Sequence, residues 1–153
     1  MESSLRTCLW FTSGGLEAAR FYVSLFPDSA IEAEHSLGQQ TPVLIDFTLQ
    51  GVPYQILNGG PHFTLNEAAS ISVVAEDQAE IDRLWEALGS AGGEERQCGW
   101  LKDRWGVFWQ IYPRALIDMQ CSANTAAAER VRQAMYRMKK IDLAALQQAF
   151  AGN

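Results

Sequence analysis

Basic residues, histidine and cysteine are all scarce in this chain. Lys and Arg number 12 against 18 Asp and Glu, a formal net charge of −6. That balance argues against a nucleic-acid phosphate backbone, which requires a basic face, and it disfavours an anionic membrane surface as a partner. No apolar run approaches the roughly 18 residues of a membrane span. Met1-Glu2-Ser3-Ser4 lacks the basic start and apolar stretch of a secretory signal. The three cysteines, Cys8, Cys98 and Cys121, are odd in number and far apart. A disulfide framework is therefore not expected, and a reducing cytoplasm is. Also missing is the strand, Gly-x-Gly loop and helix that would hold a nucleoside cofactor. Gly14-Gly15 and Gly59-Gly60 read as turns.

What is present is an ordinary globular composition. The chain has 153 residues, 48% apolar and 20% charged, one domain's length with enough apolar material for a core. Five tryptophans are many for this length. Such residues fill cores, and they also line pockets for flat or apolar ligands.

The sequence repeats itself. Gly51-Val52-Pro53-Tyr54-Gln55-Ile56 matches Gly106-Val107-Phe108-Trp109-Gln110-Ile111 at four of six positions. Earlier in each half, Glu17 and Arg20 before Phe21-Tyr22 match Glu80 and Arg83 before Leu84-Trp85. Two matches in the same order define two copies of one unit, residues 5–58 and 68–112.

Each unit reads β-α-β-β-β. Residues 5–11 form a β-compatible run ended by Ser13-Gly14-Gly15, and 16–26 read as a helix stopped at Pro27. Strands follow over 31–37, 43–49 and 52–57, with Val43, Ile45, Phe47 and Leu49 alternating. In the second copy 71–75 is a strand, and Asp77 with Glu80 forms a capping box. Ile81, Leu84, Trp85 and Leu88 stand at helical spacing. Strands are expected over 94–98, 100–103 and 107–112. The tail, 122–150, reads as two helices. The first, 124–138, is closed by Lys139-Lys140, where positive charge suits a helix C-terminus. The second is capped by Asp142. Its apolar stripes can pack on the chain's own sheet or on a partner subunit.

Several motifs carry a family resemblance. They are Ala18-Ala19-Arg20-Phe21-Tyr22, Leu25-Phe26-Pro27-Asp28-Ser29, Leu57-Asn58-Gly59-Gly60-Pro61-His62-Phe63 and Cys98-Gly99-Trp100-Leu101-Lys102-Asp103-Arg104. Trp109-Gln110-Ile111 with Pro113, and Met138-Lys139-Lys140-Ile141-Asp142, complete the set. Together they resemble the PhnB-like branch, also labelled 3-demethylubiquinone-9 3-methyltransferase-like, of the vicinal oxygen chelate superfamily of glyoxalases, bleomycin-resistance proteins and extradiol dioxygenases. The resemblance implies an α+β fold, two βαβββ modules forming a curved, mostly antiparallel sheet around a cavity, plus C-terminal helices. It implies one domain over residues 1–153 and a homodimer.

It also implies where a metal would sit. In the superfamily's metalloenzymes each unit supplies a first-strand His or Gln and a fourth-strand Glu, in a pattern resembling Asp-Pro-x-Gly-x-x-x-Glu-Leu. The run from Asp103 to Ile111 lies on that pattern, with Gln110 at the carboxylate position. The internal repeat puts Gln55 at the matching place, and the first-strand positions fall near Thr7 and on Ser70. Thr, Gln, Ser and Gln offer no imidazole, thiolate or carboxylate, the donors that hold Zn²⁺, Ni²⁺ or Fe²⁺. No cofactor is expected, and a divalent metal is disfavoured. The ligand set is instead Gln55, Gln110, Ser70, Thr7 and Trp100, around a small organic molecule.

Two residues stand as catalytic candidates. His62, in the loop between units, has the chemistry of a general base. Cys98 would need a lowered pKa to act as a nucleophile. His35 reads as a surface strand residue and Asp103 as a turn residue. Trp109 and Gln110 must face opposite sides of their strand. Three readings result: a metal-free binding module; a lyase-, isomerase- or dioxygenase-type enzyme with an atypical site; or a dimeric structural or regulatory domain with a vestigial cavity.

Overall fold

Alternating burial along the strands builds two similar units. In the computed structural model, residues 4–152 are described. They divide into one compact unit ending at Leu65 and another beginning at Asn66. The first contains β1 (Thr7–Phe11), α1 (Gly15–Leu25), β2 (Ala30–His35), β3 (Leu44–Leu49) and β4 (Val52–Asn58). Its sheet order is β1-β4-β3-β2, with β1 parallel to β4 and the other pairs antiparallel. Leu9, Phe11, Ile45, Phe47 and Ile56 are buried on one face, as are Ala18, Ala19 and Tyr22 of α1. The period of two along each strand leaves Cys8, Asp46 and Gln55 on the other face.

The second unit repeats this order with β5 (Ile71–Ala75), α2 (Gln78–Gly89), β6 (Glu94–Glu95), β7 (Trp100–Lys102) and β8 (Phe108–Pro113). Its sheet runs β5-β8-β7-β6, again with one parallel pair. Both sheets are open. The Asp77 carboxylate accepts from Glu80 N, the cap expected from the sequence, while Glu80 Oε2 reaches one residue further back than a capping box requires and accepts from Glu76 N. The core joins Ile81, Leu84 and Leu88 of α2 to Leu101, Trp109 and Ile111 of the sheet.

From β6 onward the chain departs from expectation in three ways. Strand 94–98 stops at Glu95. Cys98 takes a left-handed φ of 62°, and the amides of Cys98 and Gly99 donate out of the sheet to Met138 O and Lys139 O at 2.8 and 2.7 Å. Gly99 is required there: its φ is +81°, and a Cβ would stand 2.7 Å from Ile111 O. Second, an unanticipated helix, α3 (Arg114–Gln120), starts directly after Pro113. Third, α4 (Thr125–Met135) ends before Met138, freeing the 138–139 carbonyls for those two bonds. Lys139 and Lys140 therefore close no helix; they pair with Glu95 at 3.8 Å and Asp82 at 2.6 Å.

The final helix, α5 (Leu143–Ala151), is capped by Asp142 as expected. Leu116, Met119, Val131, Ile141 and Leu146 form the tail's own core, with Tyr112 of β8 packed against it. Gln78 of α2 fastens the tail to the unit, donating to Ile141 O and accepting from Leu143 N. The tail thus packs on its own chain. No helix of the described residues is long and apolar enough to cross a membrane.

Candidate functional site

Gln110 is held on the open face of the second sheet by its neighbours. On the same strand, Trp109 is fully buried against α2 and donates its indole N–H to Asp103 Oδ2 at 2.9 Å. Asp103 Oδ1 also accepts from Trp105 N and Val107 N. Asp103 thus clamps the β7–β8 turn, and alternation delivers Gln110 to the opposite side. There Gln110 Nε2 donates to Ser70 Oγ at 2.6 Å, and Trp100 lies directly across the β7–β8 ladder. Ser72, not Ser70, is the β5 residue beside Gln110, and it pairs with the Tyr112 hydroxyl at 2.9 Å; Ser70 lies just before the strand.

Next to this face is a pocket of about 240 Å3. The sheet and its β6–β7 loop contribute Trp100, Gln110, Tyr112 and Cys98. Helices α3 and α4 contribute Leu116, Ile117, Gln120 and Met135. None of these eight side chains is an acid, a lysine, an arginine or a histidine. Burial raises the Cys98 thiol above its ordinary value, so it is protonated at neutral pH and a poor nucleophile.

The first unit treats its counterpart amide differently. Gln55 Nε2 donates to Asp46 Oδ1 at 2.8 Å, and His35 Nε2 lies 3.0 Å from Asp46 Oδ2. Desolvation pushes the Asp46 carboxyl up, but hydrogen bonds from Gln55 and His35, with the nearby charge of Arg6, outweigh it and hold Asp46 below its ordinary range. Cys8, not Thr7, stands beside Gln55. Thr7 is in register with Tyr54 and faces the other side of the sheet. Desolvation raises the Cys8 thiol, and the Asp46 charge raises it further. His62 is exposed, with its ring edge-on to Trp10 at 6.4 Å. A separate cavity of about 430 Å3 opens at the start of α1, between Thr12-Ser13-Gly14 and residues 39–43. Gly15 fits there because a Cβ would collide with Ile56 at 2.4 Å, and its N–H is capped by Asn58 Oδ1. The Gly pair is thus a packing device at a helix start.

The structure therefore brings together Gln110, Ser70, Trp100 and Cys98 in one unit. Gln55 sits in a separate polar network of the other, and Thr7 and His62 join neither group. Sequence reasoning missed Gln120, on the helix it did not foresee. Leu116 and Met119 at i, i+3 after Pro113 were its available signal. It also missed the His35–Asp46 pair, which only the β2–β3 register creates.

The donors do not fit a divalent transition ion. Around Gln110 they are neutral amide, hydroxyl and phenol oxygens, which provide little to offset the ion's dehydration. In the first unit the Asp46 carboxylate is engaged by both His35 and Gln55. Among the described residues no cluster of three or more His, Cys, Asp and Glu stands ready to hold a metal.

Residues 3–112 match the family described as 3-demethylubiquinone-9 3-methyltransferase. The PhnB protein from Bacillus cereus superposes with a TM-score of 0.65 at 28% identity, covering 71% of this chain and 98% of that one. A Pseudomonas aeruginosa protein gives 0.61 at 19% identity, over 73% of this chain and 98% of its own. The fosfomycin resistance protein FosX from Mesorhizobium loti gives 0.56 at 15%, over 77% and 96%. The latter two establish the fold alone. No curated protein matches significantly. A family match over residues 3–112, with the PhnB protein from Bacillus cereus superposing on most of the same chain, places this chain in the 3-demethylubiquinone-9 3-methyltransferase-like, or PhnB-like, family, on a fold it shares with FosX.

Proposed function

We propose that this chain is a metal-independent binding protein for a small, neutral organic molecule, held in the pocket beside Gln110. The observation that carries this reading is the pocket's lining, where amide, phenol and apolar side chains meet with no charged group among them. An ion buried there would lose its hydration without gaining a partner. A neutral molecule with an apolar body and one N–H or O–H group would lose little and gain the Gln110 amide oxygen, since Nε2 already donates to Ser70. The volume, about 240 Å3, lies below the roughly 300–1,000 Å3 of sites for drug-sized ligands, so the occupant is a single ring or a short chain. An enzymatic role through Cys98 is less well supported, because burial works against the thiolate. The family's methyl-transfer label has no counterpart in a nucleoside-binding loop. In this reading the protein acts in the cytoplasm as a homodimer, and sedimentation at micromolar concentration giving only monomer overturns that part.

The test has two arms. Equimolar Zn²⁺, Ni²⁺ or Mn²⁺ leaves the thermal midpoint within about 1 °C. A tightly bound ion would instead add about 3 kcal/mol at a hundredfold excess over Kd and raise the midpoint several degrees. Benzamide gives saturation-transfer NMR contacts that Gln110→Leu weakens. A metal-dependent rise, or benzamide contacts indifferent to Gln110, overturns the reading.

A further inference from the structure

The family match stops at Tyr112, yet half of the pocket wall is made by residues beyond it. Leu116, Ile117 and Gln120 come from α3 and Met135 from α4. Both helices pack into the tail core, α3 through Leu116 and Met119 and α4 through Val131, against Ile141 and Leu146. Gln78 holds the start of α5 at both Ile141 O and Leu143 N, and the 138–139 carbonyls are tied to Cys98 and Gly99 beside the pocket. Gln120 Nε2 lies 3.4 Å from Met135 Sδ, linking α3 to α4 across the lining. Ile117 remains 38% exposed, which places it at the rim.

We propose that α3 and α4 determine which ligand the Gln110 pocket accepts. Gln120 supplies a second polar contact, and Ile117 with Met135 limits the ligand's size. This rests on the binding reading above and adds a division of labour to it. The sheet, shared with the family, offers Trp100, Tyr112 and an amide acceptor. The tail offers an amide, a thioether and two branched aliphatics. Two amides on separate elements suit a ligand with two hydrogen-bonding groups, or one group that both donates and accepts. A primary carboxamide on a single ring has that chemistry. A carboxylate lacks the donor, and an amidinium lacks the acceptor; neither finds a counter-charge in the lining.

The experiment uses the full chain and three near-isosteric probes, benzamide, benzoate and benzamidine, with 2-naphthamide as the larger neutral probe. Affinities are read by titration calorimetry or ligand-observed NMR, and folding of each variant by its thermal midpoint. The wild type prefers benzamide to both charged probes by at least about fivefold, the worth of one net hydrogen bond. Gln120→Leu, close in volume, lowers benzamide affinity by about fivefold. Ile117→Ala, at the rim where folding is least affected, raises the affinity ratio of 2-naphthamide to benzamide by about threefold or more, as expected for roughly one methylene-scale contact removed. Benzamide binding that depends on Gln110 but is unmoved by Gln120→Leu, with an unchanged size ratio in Ile117→Ala, overturns the role of the tail and leaves the binding reading standing. Absence of any Gln110-dependent binding overturns both.

Discussion

Asp103 accepts the indole N–H of Trp109 at 2.9 Å, with both side chains buried. This pair fixes which side of β8 faces α2, and therefore which side Gln110 faces. Asp103 also accepts the amides of Trp105 and Val107, so one carboxylate sets the turn and the strand's facing together.

Asp103→Ala is expected to cost roughly 3 kcal/mol or more, because it strands buried donors at Trp109 and Val107. Asp103→Asn retains an acceptor and costs less. Urea denaturation at pH 7 measures both. Equal stability of Asp103→Ala and wild type would show that the turn holds without the clamp.

The Asp46 network gives a pH dependence of definite sign. Its folded carboxyl titrates below the ordinary value, so the unfolded chain takes up the proton first as pH falls. The stability this group contributes is present above the ordinary carboxylate pKa of about 3.9 and is lost as pH drops through the folded value. Asp46→Asn is thus less stable than wild type at pH 7, and the gap narrows below about pH 4. A gap that widens with acid reverses the assignment.

Gln78 connects α2 to the tail through two bonds to the segment around Ile141. Gln78→Ala is expected to cost roughly 1–3 kcal/mol and to speed amide exchange in α5 more than in α2. Uniform acceleration across the second unit would mean that the tail and sheet open together.

The halves of this protein were legible because a sheet packed on one face writes its period into the sequence. Val43, Ile45, Phe47 and Leu49 had to share a face, and Ile45, Phe47 and Leu49 are buried as that pattern requires. The match of residues 51–56 with 106–111 placed Gln55 and Gln110 on equivalent strands, and alternation put Trp109 opposite Gln110. The Asp77 and Asp142 caps were equally readable, since a cap depends on residues within one turn.

What local pattern could not reach was contact between distant segments. The first-strand residue beside Gln55 is Cys8 rather than Thr7, because parallel register is set by the packing of a whole strand and not by counting from a helix. The end of α4 and the shortened β6 follow from carbonyls at 138–139 capturing amides at 98–99, some forty residues away in the chain. The sequence by itself determined the repeated βαβββ plan, its buried faces and the neutral chemistry at Gln110. Only the tertiary structure decided that Gln55 would be engaged by Asp46 and Gln110 by Ser70, and that the tail would close a pocket on its own chain. Those outcomes depend on which surfaces meet in three dimensions, information spread over residues that no short-range period connects.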